Sequence, residues 1–172
     1  IYSISVNGGA FVASKNFVCA DIGAMFSVVL KVAEDGGSKS SISTPCTITV
    51  EDKVVPTCMA QNITLQLGAA IPGMVTATAS SLNNGSSDNC VGPFSYAMST
   101  SAMGTFTPTL AFDCTPLGVN AVFLQVTDAH GNTSLPCAAT VTIQDVTNPV
   151  VVSTPGNTTV SCDVVGGIFS NT

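Results

Sequence analysis

Charge is what this sequence has least of. Only 8% of its 172 residues are charged, against about 25% in an ordinary soluble domain. The basic residues are Lys15, Lys31, Lys39 and Lys53; arginine and tryptophan are absent, and His130 is the one histidine. Nucleic-acid binding needs a basic stripe that displaces counterions from phosphates, and a net charge of −6 supplies none. Long apolar runs are missing as well. Mean hydropathy is +0.49, yet no run approaches the ~18 residues of a spanning helix. The most apolar stretch, Met25 to Val32, is interrupted by Ser27 and Lys31. Membrane insertion within this segment is therefore not expected. No signal-peptide pattern opens the chain, which reads as beginning at a processed end or an arbitrary start. With a single histidine and no Cys-x-x-Cys, neither a nucleophile–base pair nor a thiolate metal cluster is expected, and no enzyme.

What the chain does have is cysteine, seven in all, which points to an oxidising, extracellular setting. They recur in order. Phe17-Val-Cys19-Ala-Asp-Ile-Gly23 precedes a β-rich run, then Thr44-Pro-Cys46, Asp52 and Pro56. Phe112-Asp-Cys114-Thr-Pro-Leu-Gly118 precedes another, then Leu135-Pro-Cys137, Asp145 and Pro149. Cys19 and Cys114 are 95 positions apart (114 − 19); Asp52 and Asp145, like Pro56 and Pro149, are 93 apart. Asn62-Ile-Thr-Leu resembles Asn157-Thr-Thr-Val, and the opening Ile1-Tyr-Ser-Ile-Ser resembles Phe94-Ser-Tyr-Ala-Met. A recurrence of this length defines repeat units. Residues 1–52 read as the C-terminal part of one repeat, 53–145 as a complete one, and 146–172 as the start of the next.

Glycine and proline punctuate segments that alternate at period two, the signature of short strands. In the complete unit, strands are predicted at 61–67, 74–80, 94–99, 105–111, 119–127 and 138–144. Val122, Leu124 and Val126 share one face, as do Val28, Leu30 and Val32. Asp128-Ala-His-Gly-Asn132 carries the chemistry of a hairpin turn. The expected fold class is all-β: tandem immunoglobulin-like β-sandwich repeats stapled by disulfides. Short linkers ending in Pro56 and Pro149 should join them into a semi-rigid string.

These landmarks resemble hyalin-type (HYR) immunoglobulin-like repeats, especially those in giant adhesins of gliding bacteria (SprB-like). The residues carrying the likeness are Pro56-Thr-Cys58, Asn62-Ile-Thr-Leu65, Gly85-Ser-Ser-Asp-Asn-Cys90, Phe112 to Gly118 and Val126 to Ser134, with Cys137 and Asp145. The resemblance implies cell-surface spacers and adhesive modules without catalytic residues. Two departures stand out: Val151 replaces an aligned cysteine, with Cys162 placed later, and Glu34-Asp-Gly-Gly-Ser replaces the Asp-x-x-Gly-Asn turn.

Four cysteines in the complete unit allow three pairings. First and last strands of such sandwiches often lie side by side, which favours Cys58–Cys137 and leaves Cys90–Cys114. Cys19, Cys46 and Cys162 are then expected to pair outside the window. Among the acidic residues, Asp52, Asp88, Asp128 and Asp145 are candidate calcium ligands at domain junctions. The competing reading has Asp88 and Asp128 hydrogen-bonding their own turns and Asp52 and Asp145 capping strands, and no other cofactor is expected. Asn62, Asn84, Asn132 and Asn157 match the N-glycan acceptor pattern. Phe123 is a candidate for lateral contact between strings.

The leading expectation is a secreted, cell-surface structural or adhesive fibre. Its partners are neighbouring repeats, copies of itself, and a host or substratum surface. Two alternatives stand beside it. One is a self-assembling pilin-like subunit completed by strands from another copy. The other is an accessory module of a secreted hydrolase, although Tyr2 and Tyr96, the only tyrosines, make a poor sugar-stacking platform.

Overall fold

A computed structural model of the chain describes residues 1–67 and 73–149. The expectations for Val151, Asn157 and Cys162, and for most of the unit 146–172, lie outside the described residues. Ten strands carry the described fold: β1 (Tyr2–Val6), β2 (Met25–Ala33), β3 (Ser40–Ile42), β4 (Cys46–Thr49), β5 (Ile63–Gln66), β6 (Met74–Thr78), β7 (Ser95–Ser99), β8 (Thr109–Asp113), β9 (Gly118–Thr127) and β10 (Cys137–Gln144). Single 3-10 turns at Cys19–Asp21 and Ala79–Leu82 are the only helical elements among the described residues. The chain is all-β.

Residues 53–145 form two sheets around one core. The larger has the order β5-β10-β9-β7, with β5 parallel to β10 and the other pairs antiparallel. The smaller is the antiparallel pair β6-β8. Period-two alternation dictates what each face does. Along β9, Val122, Leu124 and Val126 are fully buried, and along β10, Val141 and Ile143 join them. Met98 of β7, Ala77 of β6, Phe112 of β8 and Leu82 of the second 3-10 turn complete the same cluster. The first and last strands of this unit lie side by side, and Cys58 is bonded to Cys137 across 79 residues. A strand predicted at 105–111 sits at Thr109–Asp113, because Thr107 makes only an isolated bridge to Met98.

Residues 1–50 contain strand pairings whose register parallels part of this sheet. β1 pairs β2 with Tyr2 opposite Val32, and β7 pairs β9 with Tyr96 opposite Val126; both partners are offset by 94 (96 − 2 and 126 − 32). β2 pairs β4 with Phe26 opposite Ile48, and β9 pairs β10 with Asn120 opposite Val141, offsets of 94 and 93 (120 − 26 and 141 − 48). Even the isolated bridge Ile4 to Val12 has its counterpart in Met98 to Thr107. Since one register slip exchanges core and solvent faces, coincidence of register means coincidence of faces.

The two sets of strands differ in what covers them. Among the described residues, no strand takes the place beside β4 that β5 takes beside β10, and none corresponds to β6 and β8. Leu30 and Val32, the counterparts of Leu124 and Val126, are each 40% exposed, against 0%.

The cysteines require a correction. Cys90 is bonded to Cys19, with Cα atoms 5.5 Å apart, and not to Cys114. Cys19 is therefore paired within the chain, while Cys46 and Cys114 are free thiols. The reason is topological. β6 and β8 run antiparallel with Met74 opposite Asp113 and Thr78 opposite Thr109. Cys114 thus leaves the sheet beside Gly73, while the loop bearing Cys90 follows the other end of β6. The two cysteines are reached from opposite ends of the β6–β8 pair.

The contrast in cover gives a direct test. Leu124→Ala should destabilise the chain by about 2–5 kcal/mol, as cavity-forming core truncations do. Leu30→Ala, at the matching register position, should cost about 1 kcal/mol or less. Urea unfolding followed by circular dichroism measures both.

Candidate functional site at the Asp52 junction

The 1–52 and 53–145 units meet where β4 runs out into Val50, Glu51 and Asp52. Three short segments are organised around this point. The first is the 3-10 turn at Cys19–Asp21, where the Asp21 carboxylate accepts the Val18 N–H at 2.9 Å. The second is the loop Asn83–Cys90. Its Asn83 Oδ1 accepts the Ser86 N–H at 3.0 Å, and its Ser87 exchanges both backbone hydrogen bonds with Thr57 of the linker. The third is the turn after β9, Asp128 to Asn132, closed by the Asp128 N–H donating to the Asn132 carbonyl at 3.0 Å. Gly131 sits there at φ +88°, a left-handed conformation that glycine adopts without a Cβ clash. The bond Cys19–Cys90 bolts the first segment to the second.

Asp52 is the residue all three surround. Its side chain is only 1% exposed. Oδ1 accepts the Val54 N–H at 3.0 Å and the Asn89 side-chain amide at 3.5 Å. The backbone carbonyl accepts the Asn132 side-chain amide at 3.2 Å. Oδ2 is buried with no hydrogen-bond partner. It lies 3.6 Å from His130 Nδ1, within ion-pair range but too far for a hydrogen bond.

Asp128 is held firmly by its own turn. Its Oδ1 accepts the His130 and Asn132 N–H groups, both at 2.8 Å, and its Oδ2 accepts the Asn132 side-chain amide at 2.8 Å. Desolvation pushes this carboxyl up, but the Asn132 hydrogen bonds, the His130 N–H and the neighbouring imidazole outweigh it and hold the group below the ordinary aspartate range.

The four carboxylates singled out as calcium candidates thus part company. Asp52 and Asp128 converge, and with His130 each offers a ligand atom within 4.8 Å of the others. Asp88 stands on the adjoining loop; its Oδ2 accepts the Cys90 N–H at 3.3 Å, while Oδ1 is buried without a partner. Asp145 lies at the far end of the unit, beyond β10, where its Oδ1 accepts the Thr147 N–H at 2.9 Å. This matches the Asp52 to Val54 bond of the first linker. His130 reads in the sequence as a turn residue; its approach to Asp52 joins positions 78 residues apart (130 − 52), with no local signal. Asn132 is a second such residue. The side-chain nitrogen that a glycan would occupy donates to both Asp128 and Asp52. Phe123 is half-buried on the β9 face opposite the core positions.

Both disulfides fit an oxidising environment. Among the described residues, no helix is long and apolar enough to cross a membrane.

The depressed Asp128 titration has a defined pH signature. A carboxyl whose folded value lies below its unfolded value of about 3.9 adds stability above that pH and loses it as pH falls through the folded value. Asp128→Asn should therefore melt below wild type at neutral pH, and the gap should close as the pH drops below about 4. Thermal melts across that range measure it.

Comparison of the chain with protein-family models, curated proteins and solved structures finds no match in any of the three.

Proposed function

We propose that this chain is a stretch of an extracellular structural or adhesive fibre, built from tandem immunoglobulin-like β-sandwich units of HYR type and lacking catalysis. The observation that carries the reading is the recurrence, at 93–94 residues, of one pairing scheme in one register. Coincidence of cysteine spacing alone could arise in unrelated loops; coincidence of register means the same strands present the same faces.

A fibre must transmit force along its axis, so the joints between units matter more than any pocket. The joint at Asp52 is both covalent and buried: Cys19–Cys90 spans it, Pro56 is buried behind it, and Asn89 and Asn132 hydrogen-bond across it. Proline and a disulfide each remove conformational freedom, which favours a stiff string over beads on a tether. Unpaired cysteines also find a place in this scheme. Cys114 precedes β9 as Cys19 precedes β2, and Gly118 opposite Ile143 brings it to the Asp145 end of its unit. In an array, Cys114 would bond the next unit's counterpart of Cys90, just as Cys19 bonds Cys90 itself. The resemblance to adhesins of gliding bacteria supplies the surface setting, with a host or substratum surface as the far partner.

A second reading keeps support from one feature. Among the described residues, β4 has no strand at the edge where β10 carries β5, and the β2 face beside it is partly uncovered. Exposed edges invite an added strand. In an array, preceding residues of the same polypeptide fill that place; in a pilin-like polymer, another copy does.

Disulfide mapping of the native, alkylated polypeptide by mass spectrometry tests the proposal. The array predicts a peptide bearing Cys114 joined to a cysteine of the following unit in the same polypeptide. Cys114 recovered as a free thiol, or joined within residues 53–145, contradicts it. A disulfide ladder of short chains on a non-reducing denaturing gel favours the polymer instead.

A further inference from the structure

We propose that the Asp52 junction is a binding site for a divalent cation of the zinc class, held by Asp52 Oδ2, the Asp128 carboxylate and His130 Nδ1. This inference stands independently of the array reading, since all three residues belong to the described chain. A cluster of acidic groups alone would mean little; here the burial of Asp52 decides. Taking a carboxylate out of water is costly unless charge and hydrogen bonds compensate. Asp52 has a side chain 1% exposed, yet one of its two oxygens has no donor. That oxygen is aimed at His130 Nδ1, at 3.6 Å.

The spacing suits a metal better than a hydrogen bond. Donor and acceptor would approach to about 2.9 Å if they bonded directly. Two ligands of a tetrahedral zinc, with bonds of about 2.0–2.1 Å, sit roughly 3.3 Å apart. The separation between Asp52 and His130 is near that edge length, and Asp128 completes a set spanning no more than 4.8 Å. Capacity remains on the oxygens. Asp128 accepts three hydrogen bonds, and a carboxylate offers about four lone-pair positions, so one is free. Those three hydrogen bonds fix the carboxylate in place, as outer partners do for metal ligands.

Donor chemistry selects the ion. Calcium takes six to eight oxygen ligands, whereas two carboxylates and an imidazole match zinc and related borderline metals. The sequence pointed to the junction and to Asp52 and Asp128; His130 changes the class of ion. Asp52 belongs to one unit and Asp128 and His130 to the next, so a bound ion would cross-link them beside the Cys19–Cys90 bond. The rival occupant is a proton on His130, which would form a simple ion pair with Asp52.

The test uses the full oxidised chain with its remaining thiols capped by iodoacetamide, so that cysteine cannot bind the probe. Zinc chloride is titrated near neutral pH, followed by calorimetry and by nitrogen-15 NMR of the imidazole. Because His130 is the only histidine, its ring signals report on one site. The expected result is saturable one-to-one binding with a large shift of His130 Nδ1. Removing even an outer-shell partner costs about 10–100-fold in affinity, so Asp52→Asn and His130→Gln should each weaken binding by about 100-fold or more. An unmoved His130 ring at saturating zinc overturns the proposal, as does equal affinity in either folded variant. Calcium binding as tightly as zinc also overturns it. Should Asp52→Asn fail to fold, His130→Gln keeps the turn's backbone hydrogen bond and decides the matter.

Discussion

The bond between Cys19 and Cys90 is the constraint on which the junction rests. It joins a 3-10 turn of one unit to a loop of the next, 71 residues further on. Such a cross-link removes loop-closure entropy from the unfolded chain and contributes about 2–4 kcal/mol. Among the described residues, the polar side-chain contacts across the same boundary are few: two side-chain amides on Asp52, the approach of His130, and Cys19 Sγ beside the Asn89 carbonyl. Contacts of that number, each worth about 0.5–1.5 kcal/mol net, would not by themselves hold a carboxylate out of water. The disulfide keeps the 83–90 loop pressed onto the end of β4, and so keeps Asp52 buried. Burial in turn leaves an oxygen without a donor. Covalent staple, buried charge and candidate cation site are one chain of cause.

The second disulfide works differently. Cys58–Cys137 closes almost the whole 53–145 unit on itself, beside the parallel pairing of β5 with β10. Parallel pairing of the first and last strands demands long-range closure, which is entropically expensive before any contact is made. A core of fully buried aliphatic residues then repays it, with Leu82, Met98, Leu124 and Ile143 the largest contributors. One bridge closes residues 53–145 on themselves, and the other ties them to residues 1–52.

Strands β9 and β10 are legible in the sequence because their core positions alternate strictly: Val122, Leu124, Val126, then Val141 and Ile143. The turn between them is legible through Asp128, Gly131 and Asn132, whose side-chain and backbone roles are local. The Cys19–Cys90 bond is not. A repeat aligns Cys19 with Cys114 and so suggests equivalent partners, but it carries no information on whether a partner lies within a unit or across a boundary. The expected Cys90–Cys114 pairing gives way to Cys19–Cys90 for that reason. Asp52 is a similar case: flanked by exposed Glu51 and Lys53, it reads as a solvated linker residue, and only the folded neighbours bury it. His130 reaches Asp52 through the same long-range closure. Local chemistry writes strands and turns into sequence; junctions between units are written in contacts that alternation cannot encode.

The junction therefore depends on a covalent bond between residues 1–52 and 53–145 where the fold places it. Non-reducing proteolysis of the oxidised chain, followed by mass spectrometry of the linked peptides, addresses this directly. A fragment containing Cys19 bonded to one containing Cys90 is the predicted result. Recovery of Cys90 bonded to Cys114, with Cys19 unpaired, would detach the units from each other and contradict the account.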